Sequence, residues 1–313
     1  MSAQHPIVAI TGSTGSGRST IKNAFREIFL RENIQAQYVT GDSFRRYDQK
    51  DMRAEVTRAE REGRSFSHFG PEANLFDELE ELFRTYGETS SGKIRRYVHK
   101  GNEEILQRSA GTFTPWVDIT PGSDLMFYEG LHGGVVARSW TRRSMSPSHN
   151  PKVIQERRNP SRNQGVDVAQ FVDLLIGVVP VVNLEWIQKI HRDSDLKGRD
   201  ATEISASILR RMQDYIHFIV PQFSLTDINF QRVPLVDTSN PFIAHDVPDA
   251  SESILVIRFR DPWKYNFPML LERFEKSFMS RPNTMVVPGG KLRHTLEVIC
   301  QPIIKNLIDE SRT

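Results

Sequence analysis

The stretch Pro6-Ile7-Val8-Ala9-Ile10-Thr11-Gly12-Ser13-Thr14-Gly15-Ser16-Gly17-Arg18-Ser19-Thr20 decides the fold. Its first six residues form an apolar, β-prone run of the kind buried on both faces of a parallel sheet. A glycine-rich turn ends the run. From Ser19 to about Phe29 the apolar residues Ile21, Ala24, Phe25, Ile28 and Phe29 then recur at helical spacing. A second β-prone stretch, Gln35 to Thr40, ends at Gly41-Asp42. Strand, turn, helix and strand in that order predict a right-handed crossover unit.

The turn itself predicts phosphate chemistry. A phosphate-binding loop reads as a glycine, four residues, then Gly-Lys-Ser/Thr between a strand and a helix. Its glycines let successive N–H groups point inward at phosphate oxygens, and the helix N-terminus adds a positive dipole end. Gly12, Ser13, Thr14, Gly15, Ser16, Gly17, Arg18, Ser19 and Thr20 are therefore the expected nucleotide contacts, with ATP as co-substrate. Ser19 offers a hydroxyl to Mg²⁺, and Thr20 is the alternative. Arg18 stands where lysine is expected, and its planar guanidinium is bulkier than a compact ammonium. Either it serves, or it points outward while another cation acts. The plainer reading of these residues is a strand-to-helix turn without a nucleotide.

Two acids complete the pattern. Asp124-Leu125-Met126-Phe127-Tyr128-Glu129 reads as a buried strand ending in a carboxylate, followed by Gly130. Open α/β sheets bind ligands at the carboxyl ends of their strands, where Glu129 would help hold the metal. The alternative is a carboxylate that caps the next element. Asp42, after the second strand, can accept a proton from a substrate hydroxyl attacking the terminal phosphorus of ATP. On spacing alone it is equally a turn-forming aspartate.

Further along, helical patterns cover Asp51 to Glu62, Glu72 to Tyr86, Asn183 to Asp193 and Ala201 to Phe218. Strand patterns cover Val172 to Val179, Arg232 to Val236, Ser253 to Phe259 and Thr284 to Val287, before a last helix from Lys291 to Ile308. The expected fold is α/β: a P-loop, mostly parallel sheet flanked by helices, with additional short strands in the C-terminal half. One kinase domain over 1–313 is expected. Within it, residues 138–165 form a basic insertion that reads as flexible, because Arg138 to Arg162 carries seven Arg or Lys against one Glu.

Composition narrows the partners. The chain has 313 residues, 38% of them apolar and 26% charged, enough for a substantial core. Its 41 basic and 39 acidic side chains nearly balance, which argues against a general nucleic-acid binder. That balance is compatible with a locally basic pocket for a phosphorylated metabolite. No apolar run approaches the ~20 residues that span a bilayer, and no signal peptide is read at the N-terminus. The single Cys300 cannot form an internal disulfide and suits a reducing compartment, so a soluble cytoplasmic protein is expected.

Over most of its length the chain resembles the bacterial-type phosphoribulokinases, which are related to uridine and pantothenate kinases. The marks are Gly12 to Thr20, Gly41-Asp42-Ser43-Phe44, Ser67-His68-Phe69, Tyr97-Val98-His99 and Phe127 to Gly133. Longer ones are Val178 to Asp193 and Asn229 to Pro234, then Val236 to Phe242 and Val286 to Gly289. The resemblance implies ATP-dependent phosphorylation of the free primary hydroxyl of D-ribulose 5-phosphate, giving ribulose 1,5-bisphosphate for carbon fixation. It implies Asp42 as base, Glu129 and Asp193 with Ser19 as metal donors, and Lys189, Arg192 and Asp193 around the transferred phosphoryl group. Arg45, Gln49, His99 and Lys197 fall at sugar-phosphate positions. A homo-oligomer is implied, with NADH as an allosteric effector near Arg31, Arg232 and Arg258.

Several positions depart from the family pattern. Gln49 replaces an arginine, Lys197 stands where Arg is expected before Gly198, and Glu203 falls one place late. Lysine for arginine loses two-pronged phosphate geometry. The bacterial form does not rely on the P-loop lysine, which accommodates Arg18. Two other readings follow: a related kinase for another sugar phosphate or nucleoside, or a nucleotide-binding regulatory paralogue without turnover.

Overall fold

In the computed structural model the run after Pro6 forms β1 (Ile7–Gly12), buried at all six positions as a central strand requires. The structure describes residues 4–12, 18–64, 66–137, 165–179, 181–197, 200–242 and 246–312, with backbone alone for Arg18, Ser19, Asp195, Leu196, Lys197 and Ala201. Helix α1 (Arg18–Arg31) follows, then β2 (Ala36–Thr40), α2 (Gln49–Arg61) and α3 (Phe76–Thr89). Next come β3 (Lys93–Ile94), α4 (Glu103–Leu106), β4 (Val117–Asp118), β5 (Leu125–Gly130), β6 (Leu174–Val179), α5 (Val182–Lys197) and α6 (Ala201–Asp214). The C-terminal part holds β7 (Ile228–Pro234), β8 (Ser253–Phe259), α7 (Phe267–Arg273), β9 (Phe278–Arg281), β10 (Thr284–Pro288) and α8 (Leu292–Ser311).

Among the described residues eight strands form one sheet in the order β2-β5-β1-β6-β7-β8-β10-β9. The pairs β2–β5 and β6–β7 are parallel. The additions β7–β8, β8–β10 and β10–β9 are antiparallel. This is the expected α/β class, with the extra strands in the C-terminal half. The chain divides into two compact units, which share β1: one holds 1–9, 35–173 and 210–225, the other 10–34, 174–209 and 226–313.

In the first unit α3 buries Phe76, Leu79, Leu82, Phe83 and Tyr86, a stripe at helical spacing. Phe83 meets Tyr128 of β5 edge-to-face with ring centroids 5.3 Å apart, which ties the helix to the strand that ends in Glu129. The start of β5 is locked to β2, because the Asp124 carboxylate accepts from the Gln35 N–H at 2.8 Å. Helix α2 buries only Met52 and Ala59, in keeping with the solvated face its charges predict.

In the second unit the Asp227 carboxylate accepts from the Leu175 N–H at 2.7 Å and pairs with Arg260, setting the start of β6 against β7. Helices α1 and α8 are joined by Arg31, which donates to Gln301 at 3.1 Å. Cys300 is fully buried on α8, and burial pushes its thiol far up, so the bland reading of this residue as a small core side chain suffices.

Some boundaries differ from the sequence reading. The helix expected from Ala201 to Phe218 ends at Asp214, giving way to a wide π turn (Tyr215–Ile219) and a 3-10 turn (Val220–Ser224). Pro221 has no N–H to continue the ladder, and the break lets Gln222 bond the Leu131 carbonyl at 2.9 Å. Strand β7 begins at Ile228, four residues before the expected Arg232, since polar Asn229 and Gln231 alternate with buried Ile228 and Phe230. The short elements α7 and β9 carry no strong periodicity and were not expected.

Candidate active site

Asp42 sits in a 3-10 turn, Gly41–Phe44, immediately after β2. Thr40 of β2 is registered against Glu129 of β5, so both predicted acids leave the sheet at one edge. The close approach there explains the glycines that accompany each acid. A side chain on Gly41 would come within 2.9 Å of the Gly130 backbone, and Tyr128 closes the remaining space.

Asp42 gathers two of the predicted acceptor-side residues, Arg45 and His99. Arg45 Nη2 lies 2.6 Å from one carboxylate oxygen, and His99 Nε2 lies 3.1 Å from the other. All three side chains are partly exposed. Tyr97 supports both side chains: the Arg45 guanidinium lies 5.1 Å from its ring centroid, and the His99 ring packs edge-on at 5.0 Å. Gln49 is not brought to this group by any described contact. Its N–H donates to the Gly111 carbonyl at 2.8 Å and its side chain packs on that glycine.

Sequence reasoning missed two side chains here. Arg95 donates to the carbonyls of Ser43 and Arg45, and its guanidinium stacks 3.7 Å from the Phe113 centroid, so it pins the Asp42 turn from below. His68 has a buried Nδ1 with no hydrogen-bond partner. The turn that carries it is held by the Ser67–Asp214 bond at 2.7 Å and by Asn74 Nδ2 donating to the His68 carbonyl at 2.9 Å. Burial, then the neighbouring Arg45 and Arg211, push the His68 imidazole down to about 3, against a weaker opposing pull from Asp42. The motif Ser67-His68-Phe69 was the only signal, and it gave no role.

This depression has a consequence for stability. The unfolded chain binds a proton at His68 near 6.5, whereas the folded chain resists it until about 3. Acid therefore favours unfolding across that window, by up to about 1.4 kcal/mol for each pH unit below 6.5. Urea unfolding at pH 7 and pH 5 should show wild type losing more stability than His68→Gln, and equal losses would refute the assignment.

In the second unit, Lys189, Arg192 and Asp193 fall three and four residues apart on α5 and share one face. Asp193 is buried, and Arg192 Nε donates to it at 3.2 Å. Gly12 closes β1 and Thr20 lies exposed on α1. Ser13 to Gly17, the side chains of Arg18, Ser19 and Lys197, and residues 138–164 of the basic insertion lie outside the described residues. Arg232 and Arg258 do not share a surface. Arg232 is registered opposite Leu255, three residues from Arg258, so alternation sends them to opposite faces. Arg31 is engaged with Glu297 and Gln301.

The buried strand β1 ending at Gly12 with α1 after it, and the carboxylates at the ends of β2 and β5, fit the P-loop kinase class. The family model for the phosphoribulokinase/uridine kinase family matches residues 7–239, and the chain belongs to that family. It is 46% identical over 314 aligned residues to phosphoribulokinase of Nitrobacter vulgaris, covering 100% of this chain and 99% of the relative. It is 48% identical to phosphoribulokinase 1 of Cereibacter sphaeroides over the same shares. The solved structure of phosphoribulokinase from Rhodobacter spheroides superposes with a TM-score of 0.83 at 47% identity, covering 99% of each chain. The chain is a kinase. Among the described residues no helix is long and apolar enough to cross a membrane.

Proposed function

We propose that this kinase transfers the terminal phosphoryl group of ATP to the free primary hydroxyl of D-ribulose 5-phosphate, giving ribulose 1,5-bisphosphate and ADP. The observation that carries the reading is the Asp42 carboxylate at the sheet edge, flanked by Arg45 and His99. Arg45 and His99 can each donate a hydrogen bond to the phosphate of a sugar phosphate, and the carboxylate suits its hydroxyl. In this reading the hydroxyl proton passes to Asp42 as its oxygen bonds to the terminal phosphorus, and the bond to the bridging oxygen of ADP breaks.

Charge develops on the transferred group, so Lys189 and Arg192 steady it while the 12–20 turn holds the remaining phosphates. Glu129, Asp193 and the Ser19 hydroxyl are the proposed Mg²⁺ donors. Hard oxygen ligands of this kind suit Mg²⁺, which commonly takes one or two carboxylates together with substrate phosphates. The ion would shield negative charge between ATP and the attacking oxygen. The whole chain acts as one kinase domain in the cytoplasm, as a homo-oligomer with NADH as effector.

Coupled measurement of ADP release with ribulose 5-phosphate, uridine and other sugar phosphates tests this reading. Turnover confined to ribulose 5-phosphate is expected. Turnover only with another acceptor would replace it with a related kinase activity, and nucleotide binding without turnover would replace it with a regulatory role. Gln49 motivates the first of these alternatives. Gln49→Arg should lower KM for ribulose 5-phosphate by several-fold through a charge-assisted phosphate contact. No change in KM would remove Gln49 from the sugar-phosphate site.

A further inference from the structure

One imidazole beside the Asp42 group has no part in the transfer as derived so far. His68 is half-buried, and its Nδ1 is enclosed without a hydrogen bond. Among the described residues nothing bonds its Nε2 either, and that atom is open. Backbone pairing sets the ring next to Arg45. Asn74 forms an antiparallel bridge with Arg45, and its Nδ2 donates to the carbonyls of His68 at 2.9 Å and Gly70 at 2.7 Å. On either side of the bridge, the Arg46 N–H donates to the Ala73 carbonyl at 2.9 Å and the Leu75 N–H to the Phe44 carbonyl at 2.7 Å. Past His68, the Phe69 carbonyl meets His132 Nε2 at 3.0 Å. Arg45 in turn lies 2.6 Å from the Asp42 carboxylate.

A ring held this firmly with both nitrogens unanswered is costly, and the cost calls for a role. The place of its proton follows from the surroundings. A buried N–H without an acceptor is rare in folded proteins, whereas a proton on the open Nε2 is free to meet a ligand. Nδ1 therefore keeps its lone pair and Nε2 carries the hydrogen. Burial and the neighbouring Arg45 and Arg211 keep the ring uncharged. His68 is thus a neutral donor beside two others, Arg45 and His99, that face the carboxylate and suit a phosphate.

We infer that the Nε2–H of His68 holds the C2 carbonyl oxygen of the acceptor, so that the site recognises a ketose at the carbon next to the reacting hydroxyl. The inference rests on the ribulose 5-phosphate reading above. In that substrate the hydroxyl that yields its proton to Asp42 and the carbonyl stand on adjacent carbons. A donor for the carbonyl must therefore stand beside the carboxylate, as His68 does through Arg45. An uncharged N–H suits an uncharged oxygen and leaves the phosphate to the other two donors. The same hydrogen bond draws electron density from the neighbouring carbon and eases removal of the hydroxyl proton. His68 is a specificity residue.

The test sets ribulose 5-phosphate against 2-deoxyribitol 5-phosphate, which keeps the phosphate, the primary hydroxyl and the remaining stereocentres but has no oxygen at C2. Steady-state assays of the full chain give KM for the first and the inhibition constant for the second. In wild type that constant should exceed KM about tenfold or more. His68→Leu should raise KM for ribulose 5-phosphate about tenfold and leave the inhibition constant within about threefold. His68→Gln, whose amide N–H falls near the place of Nε2, should recover most of the loss. Equal affinity of wild type for the two compounds overturns the proposal without need of any variant. So does a His68→Leu enzyme that weakens both alike or changes neither, and so does a His68→Gln enzyme no better than His68→Leu. Wild type that phosphorylates another acceptor but not ribulose 5-phosphate removes the substrate reading beneath it.

Discussion

Asp42→Asn should retain ATP binding and lose turnover by about two orders of magnitude or more, the usual contribution of a general base. The substitution is nearly isosteric, so the Gly41–Phe44 turn should keep its shape. The asparagine can still accept a hydrogen bond from Arg45, which lies 2.6 Å from the carboxylate in the native site. It cannot take up the hydroxyl proton. Removing the negative charge from between Arg45 and His99 should also leave sugar-phosphate affinity intact or tighter, because those hydrogen-bond donors then have a single anion to serve. The expected pattern is a large fall in kcat with little change in KM for either substrate. Turnover within threefold of wild type would strip Asp42 of its role. A rise in KM for ATP instead would move it to the nucleotide side.

Gly41→Ala should be harmful for a different reason. A Cβ at that position lies 2.9 Å from the Gly130 Cα, and Tyr128, wholly buried on β5, blocks the other direction. Neither neighbour can step aside cheaply, since one is backbone in a sheet edge and the other is held against Phe83. Overpacking of this kind costs about 1–3 kcal/mol. The relief available is to spread the ends of β2 and β5, which carries Asp42 away from Glu129. Gly41→Ala should therefore lower both the midpoint of urea unfolding and kcat, whereas Asp42→Asn lowers kcat alone. Full activity and stability in Gly41→Ala would mean that the two strand ends are not held together this tightly in solution.

The readability of the fold followed from local signals. Strand β1 was legible because the short apolar run Ile7 to Ile10 leads into a glycine-rich turn, as a strand covered on both faces can. Helix α3 was legible from its apolar spacing, although its first turn was drawn four residues early, across the short Pro71–Ala73 turn. The short α7 and β9 were not legible, because a few half-exposed residues show neither period. The division of α6 from the turns after it was hidden because the helical pattern continues through Ile216 and Ile219. Pro221 and the tertiary bonds of Gln222 end the helix instead.

For the site, sequence alone determined which residue types were available: a glycine turn for phosphates, acids following two strands, and a cationic run on one helix. Those are properties of spacing, and spacing is local. Only the tertiary structure decided that Asp42 meets Arg45 and His99, and that Gln49 packs on Gly111. It also left His68 and Gln188 with buried, unanswered polar atoms and set Arg232 and Arg258 on opposite faces. Such facts depend on which strands are neighbours and in what register, and packing of residues far apart in the chain sets both.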